Sequence, residues 1–240
     1  MKYFLDTVDT IPEGVGIGMY SSIHLIWLAV IGIIIFLTAS KYRKSDEIKR
    51  VKMRHTVGIL LVADELFKVI MLVAGGNYIA DYLPLHLCSI NIIFIAIHCV
   101  KPTRLLDNFL YIACIPGAIA ALLFPTWVVL PVGNFMHWHS FTVHMLLIMY
   151  PVMLVAGGDI KPDIKQLPKC IGFLLLLAVP ISFFNKAFDT NFMFLEKAPA
   201  GSPLYWFEAS WGNHLMGYPI LIAVVCIVMF GFYGLVKKKI

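Results

Sequence analysis

Long apolar stretches separated by short polar segments make up most of this chain of 240 residues. A helix needs roughly 20 predominantly apolar residues to cross a bilayer, and seven stretches come close to that length. They cover residues 21–38, 56–73, 84–100, 108–124, 138–156, 168–184 and 214–236. The pattern therefore predicts an all-α, polytopic membrane protein, with seven transmembrane helices in a single domain over residues 1–240.

The composition supports the same class of protein. Hydrophobic residues make up 60% of the chain and charged residues only 14%, whereas soluble domains are about half apolar and about a quarter charged. The formal net charge of +5 is carried by the segments between the apolar stretches. We interpret it as contact with anionic lipid, with membrane lipids as the partners and no nucleic acid.

Basic residues are distributed unequally between the two predicted sides of the membrane. The first, third and fifth loops and the C-terminal tail hold fifteen of the nineteen Lys and Arg residues, and the opposite side holds three. Because cytoplasmic loops carry an excess of Lys and Arg, we predict a multi-pass protein of the cell membrane with the N-terminus outside and the C-terminus in the cytoplasm. All five cysteines lie in or beside predicted helices, so no disulfide framework is expected.

Polar groups cluster in the outer half of the predicted bundle. Ionisable residues at membrane depth are costly and mark function by default. Six of the eight histidines fall in this half. Two carboxylates and one lysine on the second predicted helix and an asparagine on the third lie near them. These residues are His24, His86, His137, His139, His144, His214, Asp64, Glu65, Lys68 and Asn91.

Cys88 and His144 are the candidate catalytic residues. Each lies a few residues below the start of its predicted helix, so at ~1.5 Å per residue both fall roughly 5–10 Å below the outer surface. Pro84 suits the first turn of the third predicted helix. The dipole of that helix then favours a thiolate on Cys88, and His144 could serve as base and then as acid.

The remaining polar residues are assigned to substrate binding. Asn91 or His86 could donate a hydrogen bond to a developing oxyanion. Asp64, Glu65 and Lys68 could support the cavity or bind a lipid headgroup, and His137 completes the set.

Simpler interpretations remain open for the same residues. A free cysteine often packs as a small hydrophobic residue, and His144 could instead make a hydrogen bond between helices. Asp64 and Glu65 could simply form salt bridges with Lys68. A metal bound by the histidines is a weaker alternative, because no His-x-x-x-His pair is present, and we predict no metal site.

Three segments carry a resemblance to a known family: "LPLHLCSINIIFIAI", "RLLDNFLYIACIPGAIAALLFP" and "HWHSFTVHMLLIMYPVML". They resemble the YwaF-like family of bacterial integral membrane proteins, which is similar to the eukaryotic transmembrane protein 164 acyltransferase and to intramembrane hydrolases that use a Thr and a His. The resemblance implies a catalytic cysteine and histidine at Cys88 and His144.

These observations predict a membrane-embedded lipid acyltransferase or lipid-ester hydrolase with a Cys nucleophile and a His base near the outer leaflet. No soluble cofactor is implied. The alternative is a transporter or ligand-binding membrane protein with an outward-facing polar cavity, in which the charged residues of the second helix line a substrate path. A third interpretation is a structural or chaperone subunit without chemistry.

Overall fold

The computed structural model describes residues 2–237, apart from the side chains at positions 232 and 235–237. Lys238 and Lys239, which contribute to the predicted charge asymmetry, lie outside the described residues. Every regular element between residues 2 and 237 is helical, and no strand occurs there. The predicted all-α class is therefore confirmed for this part of the chain.

The α-helices follow one another through short turns. In chain order they are α1 (Ser22–Arg43), α2 (Glu47–Ala74), α3 (Leu87–Val100), α4 (Arg104–Phe109), α5 (Ile115–Leu123), α6 (Phe135–Gly157), α7 (Leu167–Phe188), α8 (Pro203–Trp211) and α9 (Gly217–Lys237). A π-helical segment, Leu110–Cys114, joins α4 directly to α5.

Six helical segments in the described residues are long and apolar enough to cross a membrane. They are Ser22–Arg43, Ala80–Val100, Arg104–Val129, Phe135–Gly157, Ile164–Phe188 and His214–Gly231. The second predicted span lies in α2, which has 28 residues but is not among the six. Three charged side chains in its middle, Asp64, Glu65 and Lys68, lower its apolar character.

Helix α2 nevertheless runs antiparallel to α6 along most of its length. Near the start of α2, Arg50 Nη1 donates to the carbonyl oxygen of Gly157, the last residue of α6, at 2.9 Å. Further along α2, the Phe67 ring contacts the ring of Phe135, the first residue of α6, with centroids 6.3 Å apart. Helix α2 thus covers the same depth as an apolar helix that qualifies as a span.

Helix α6 lies at the centre of the bundle, where α1, α2, α3 and α5 pack around it. Sixteen of its residues are buried, and they point in all directions around the helix. A helix that is apolar all round is typical of such an enclosed position. Residues of α6 therefore have neighbours on several other helices.

Two ends of the bundle can be distinguished by what α6 touches. At the upper end, Asn134 caps α6 by accepting from Met136 N at 2.8 Å. Its amide also donates to the carbonyl oxygens of Tyr3 and Asp6, both at 2.8 Å, so the N-terminal segment lies at this end. At the lower end, α6 finishes at Gly157 beside the loop that joins α1 to α2.

Helix α3 begins later than the sequence predicts. Pro84 lies in the turn before the helix, and the first helical residue is Leu87. The prediction that Pro84 occupies the first turn is therefore wrong. His86 takes the N-cap position in an extended conformation, and this makes Cys88 the second residue of the helix.

Candidate thiol–imidazole site

The upper ends of α3 and α6 bring a thiol and an imidazole together. Nε2 of His144 lies 3.3 Å from Sγ of Cys88, within hydrogen-bonding distance for sulfur. His144 is buried on α6, with 8% of its surface exposed, whereas Cys88 on α3 keeps partial exposure. The two residues selected from the sequence as nucleophile and base are thus in direct contact.

The second nitrogen of His144 determines which tautomer is present. Nδ1 lies 2.6 Å from the carbonyl oxygen of Ser140, one turn earlier on α6. A carbonyl oxygen can only accept, so Nδ1 carries the hydrogen and donates it. In the neutral ring Nε2 then holds a lone pair directed at the Cys88 thiol, as a general base requires.

The local backbone also favours negative charge at Cys88. Because Cys88 is the second residue of α3, it lies among first-turn N–H groups that have no partner within the helix. The positive end of the helix dipole is at the same place. Burial favours the neutral thiol and imidazole at rest, and the helix start stabilises a thiolate once the proton moves to His144.

His86 lies against a turn of the segment between α7 and α8. Its Nδ1 accepts a hydrogen bond from Met193 N at 3.3 Å. The imidazole also packs against the rings of Phe192 and Phe194, with centroids 5.1 Å and 5.4 Å away. His86 therefore connects the start of α3, two residues before Cys88, to a turn at the upper end.

The charged residues of α2 form ion pairs inside the protein. Lys68 Nζ lies 2.5 Å from Glu65 Oε1 on the same helix. Asp64 Oδ2 lies 2.9 Å from Nδ1 of His139 on α6. Neither of these two atoms has a hydrogen-bond partner in the part of the chain that the structure describes, so their approach lacks hydrogen-bond geometry. We therefore describe it as a close electrostatic contact that joins α2 to α6.

Asn91 and His137 differ in what they can offer a ligand. Asn91 is 2% exposed and lies on the same face of α3 as Cys88. Its buried Oδ1 has no hydrogen-bond partner among the described residues. His137 is fully buried; its Nε2 accepts from Trp27 Nε1 at 3.0 Å, and its Nδ1 donates to Leu130 O at 3.3 Å. The protein thus occupies both nitrogens of His137.

The other histidines at the upper end hold the backbone in place. His24 Nε2 donates to Leu122 O at 2.9 Å, and His214 Nε2 donates to Phe194 O at 3.0 Å. Among residues 2–237, no three His, Cys, Asp or Glu side chains are grouped as a metal ion would need.

Trp127 is a residue of the site that the sequence analysis did not select. It lies in the 3₁₀ turn Thr126–Val129 between α5 and α6, and its indole ring stacks on His144 with centroids 4.9 Å apart. The available signal was an aromatic residue in a short segment before the histidine-bearing helix. That signal was weak, because aromatic residues are common at membrane interfaces.

These features define a polytopic helical membrane protein with a thiol–imidazole pair at one end of its bundle. A model of the TMEM164 family matches residues 19–236, and the chain therefore belongs to the TMEM164 family. The resemblance to the transmembrane protein 164 group is thereby confirmed. Searches of curated proteins and of solved structures each returned no match.

Proposed function

We propose that this protein transfers or hydrolyses acyl groups of membrane lipids, with Cys88 as the nucleophile and His144 as the base. One observation carries the proposal: the Nε2 lone pair of His144 faces the Cys88 thiol at 3.3 Å. The contact joins an acceptor nitrogen to a thiol at a helix N-terminus, where a thiolate is stabilised. Membership of the TMEM164 family is consistent with this chemistry.

The reaction proceeds through a thioester. Sγ of Cys88 attacks the carbonyl carbon of a lipid ester, and its proton passes to Nε2 of His144. When the tetrahedral intermediate collapses, the carbon–oxygen bond breaks and His144 returns the proton to the departing alcohol. The hydroxyl group of an acceptor lipid, or water, then attacks the thioester. His144 takes the proton of that hydroxyl and gives it back to the thiolate.

Substrate binding is proposed for the polar residues around the pair. Asn91 accepts a hydrogen bond from the acceptor hydroxyl at its side-chain oxygen, which has no partner among the described residues, or donates from its amide nitrogen to the oxyanion. His86, at the N-cap two residues before Cys88, contacts the ester. Asp64, Glu65 and Lys68 support this part of the bundle and supply charges suited to a headgroup, while His137 orients the start of α6.

We also propose that α2 is a seventh crossing and that the upper end faces the outside of the cell. Helix α2 follows α6 from Gly157 to Phe135, and seven crossings place the two termini on opposite sides. The basic loops lie at the lower end, which the positive-inside rule assigns to the cytoplasm. The pair would then act on lipids of the outer leaflet.

The experiment looks for the thioester itself. Purified full-length protein is mixed with phosphatidylcholine or phosphatidylethanolamine vesicles whose acyl chains carry an alkyne tag. We expect mass spectrometry to find the tag on the Cys88 peptide and hydroxylamine to remove it. Cys88→Ala should lose the adduct, whereas Cys170→Ala, which removes a buried thiol on α7, should keep it. An adduct of equal yield in Cys88→Ala would refute the assignment.

Transport is the second candidate function, because charged side chains in the middle of α2 pair inside the bundle, with Lys68 buried and Asp64 and Glu65 half-buried. A transporter would lose activity in Lys68→Met and tolerate Cys88→Ser. The proposed enzyme would lose acyl transfer in Cys88→Ser. A solute-uptake assay in vesicles, run beside the thioester assay on both variants, separates the two functions.

A further inference from the structure

Trp127 covers one face of the imidazole that contacts Cys88. The two rings are nearly parallel, with an interplanar angle of 10° and centroids 4.9 Å apart. Trp127 is itself held in place: it is 8% exposed and meets the Phe141 ring edge-on at 5.6 Å. The indole therefore forms a fixed surface against His144.

Three contacts together define the position of the His144 ring. Nδ1 is held by the Ser140 carbonyl at 2.6 Å, Nε2 faces the Cys88 thiol, and the indole limits tilting of the ring plane. A flip of the ring would break the hydrogen bond from Nδ1 to the Ser140 carbonyl oxygen. These contacts together keep the lone pair of His144 Nε2 directed at the Cys88 thiol.

The same stack distinguishes between the two protonation states of His144. When the ring takes the thiol proton, it becomes a cation that lies on an indole face, and a cation is attracted to the electron-rich face of Trp more than to any other aromatic ring. His144 is 8% exposed, and in such a buried position the attraction is weakly screened by water. An interaction that is stronger after proton transfer than before it favours the transfer.

We propose that Trp127 is a positioning residue of the Cys88–His144 pair and that its stacking promotes proton transfer from the thiol to the imidazole. This inference deepens the proposed function and rests on it for its chemical purpose. The contact itself can be tested without a lipid substrate, because a thiol reacts with an electrophile through its thiolate form.

The effect of the aromatic ring can be tested separately from that of the indole N–H group. Nε1 of Trp127 is buried and has no hydrogen-bond partner in the described part of the chain. Trp127→Phe therefore removes the N–H group and keeps an aromatic face, while Trp127→Leu removes both. Trp127→Met serves as a second variant without an aromatic ring, because its flexible side chain fills irregular spaces.

The experiment measures the alkylation rate of Cys88 by N-ethylmaleimide, followed at the Cys88 peptide by mass spectrometry. It uses full-length protein in detergent at one fixed pH. We expect Trp127→Leu and Trp127→Met to lower the rate about three- to thirtyfold, the range that a cation–aromatic contact supports. Trp127→Phe should stay within about threefold of the unchanged protein. Trp206→Leu, which alters an exposed tryptophan of α8, should leave the rate unchanged.

A double-mutant cycle separates positioning from a purely structural role. Without the imidazole the indole has no cation to stabilise, so Trp127→Leu should change the rate less than about twofold in a His144→Ala background. An equal loss with and without His144 would overturn the proposal, and so would a Trp127→Phe rate as low as that of Trp127→Leu. If these rates behave as expected but no lipid thioester forms, the proposed function fails and the Trp127 contact stands.

Discussion

His98 links three helices near the lower end of the bundle through two hydrogen bonds. Its Nε2 donates to the Asp107 carboxylate of α4 at 2.7 Å, and its Nδ1 lies 2.9 Å from the Tyr150 hydroxyl of α6. Cys99 donates to the same hydroxyl at 3.3 Å. Polar side chains tie membrane helices together in this way, so we assign this network to stability, although it contains a thiol and an imidazole.

Replacing His98 with alanine tests this assignment. The change leaves the Asp107 carboxylate without its donor and the Tyr150 hydroxyl without its acceptor, which costs about 1–3 kcal/mol of the free energy of unfolding. Unfolding in detergent, followed by circular dichroism, measures the loss. His55→Ala is the control, because His55 is exposed and its Nδ1 donates to Val51 O within its own helix. Equal stability of the two variants would contradict a structural role for His98.

The site shows what residue types and spacing can predict. Residue chemistry and similar depth below the predicted helix starts indicate Cys88 and His144 as a pair. Cys88 is in fact the second residue of α3, whereas His144 is ten residues into α6, counted from Phe135. The pair meets because α6 begins further towards the upper end than α3 does. Asn134 caps this start of α6. Trp127 could not be predicted, since a 3₁₀ turn and not a helix face sets its position.

At the level of helices, α1 and α6 approach each other closely where α6 ends. A Cβ atom on Gly157 would lie 2.7 Å and 2.8 Å from two atoms of the Tyr42 ring. That ring is fully buried, and its hydroxyl donates to Asp159 just beyond α6. Arg50 pairs with the same carboxylate at 3.0 Å. Gly157 is therefore required for the contact that joins α1, α2 and α6.

Gly157→Ala should consequently lower stability. Because Tyr42 is held by its hydrogen bond and by its neighbours, the added methyl group overpacks the contact, at a cost of about 1–3 kcal/mol. Gly32→Ala in α1 is the matched control. No atom of the described residues lies within 4 Å of a Cβ built on Gly32, so alanine there should be neutral or slightly stabilising. Thermal unfolding of both variants in detergent provides the comparison, and equal midpoints would contradict the close contact.

Periodicity and hydropathy predict where helices occur better than they predict what happens inside them. The predicted helix over residues 108–124 exists as a continuous unit, but Leu110–Cys114 adopts a π-helical register. Pro116 follows this segment and lacks the N–H group of an ordinary α-helical bond. In helix α2 the helix itself is regular, but its charged residues lower the mean hydropathy, so that composition alone does not identify it as a span. Its Lys68 and Glu65 pair with each other and Asp64 contacts His139, and these contacts exist only in the folded bundle.

For the molecule as a whole, the number of crossings and the sidedness of the site are linked. The N-terminal segment packs at the upper end through Asn134, and the thiol–imidazole pair lies at the same end. The proposed seven crossings would place the C-terminal end of α9 at the lower end, together with most of the basic loops. If α2 did not cross, the loop before α3 and the loop after α1 would face the same side, although α2 extends beside α6.

Single cysteines introduced into a chain whose five native cysteines are alanine test this arrangement. We expect a membrane-impermeant maleimide to label Glu13→Cys, Asp81→Cys and Ser210→Cys in intact cells, because these exposed positions lie at the upper end. Lys44→Cys and Lys161→Cys, exposed at the lower end, should react only after the cells are permeabilised. Equal labelling at positions 44 and 81 in intact cells would show that α2 does not cross. Complete reversal of the labelling pattern would move the proposed chemistry to the inner leaflet. The contact between Cys88 and His144 would be unchanged, since it depends on the packing of α3 against α6 and not on the side of the membrane.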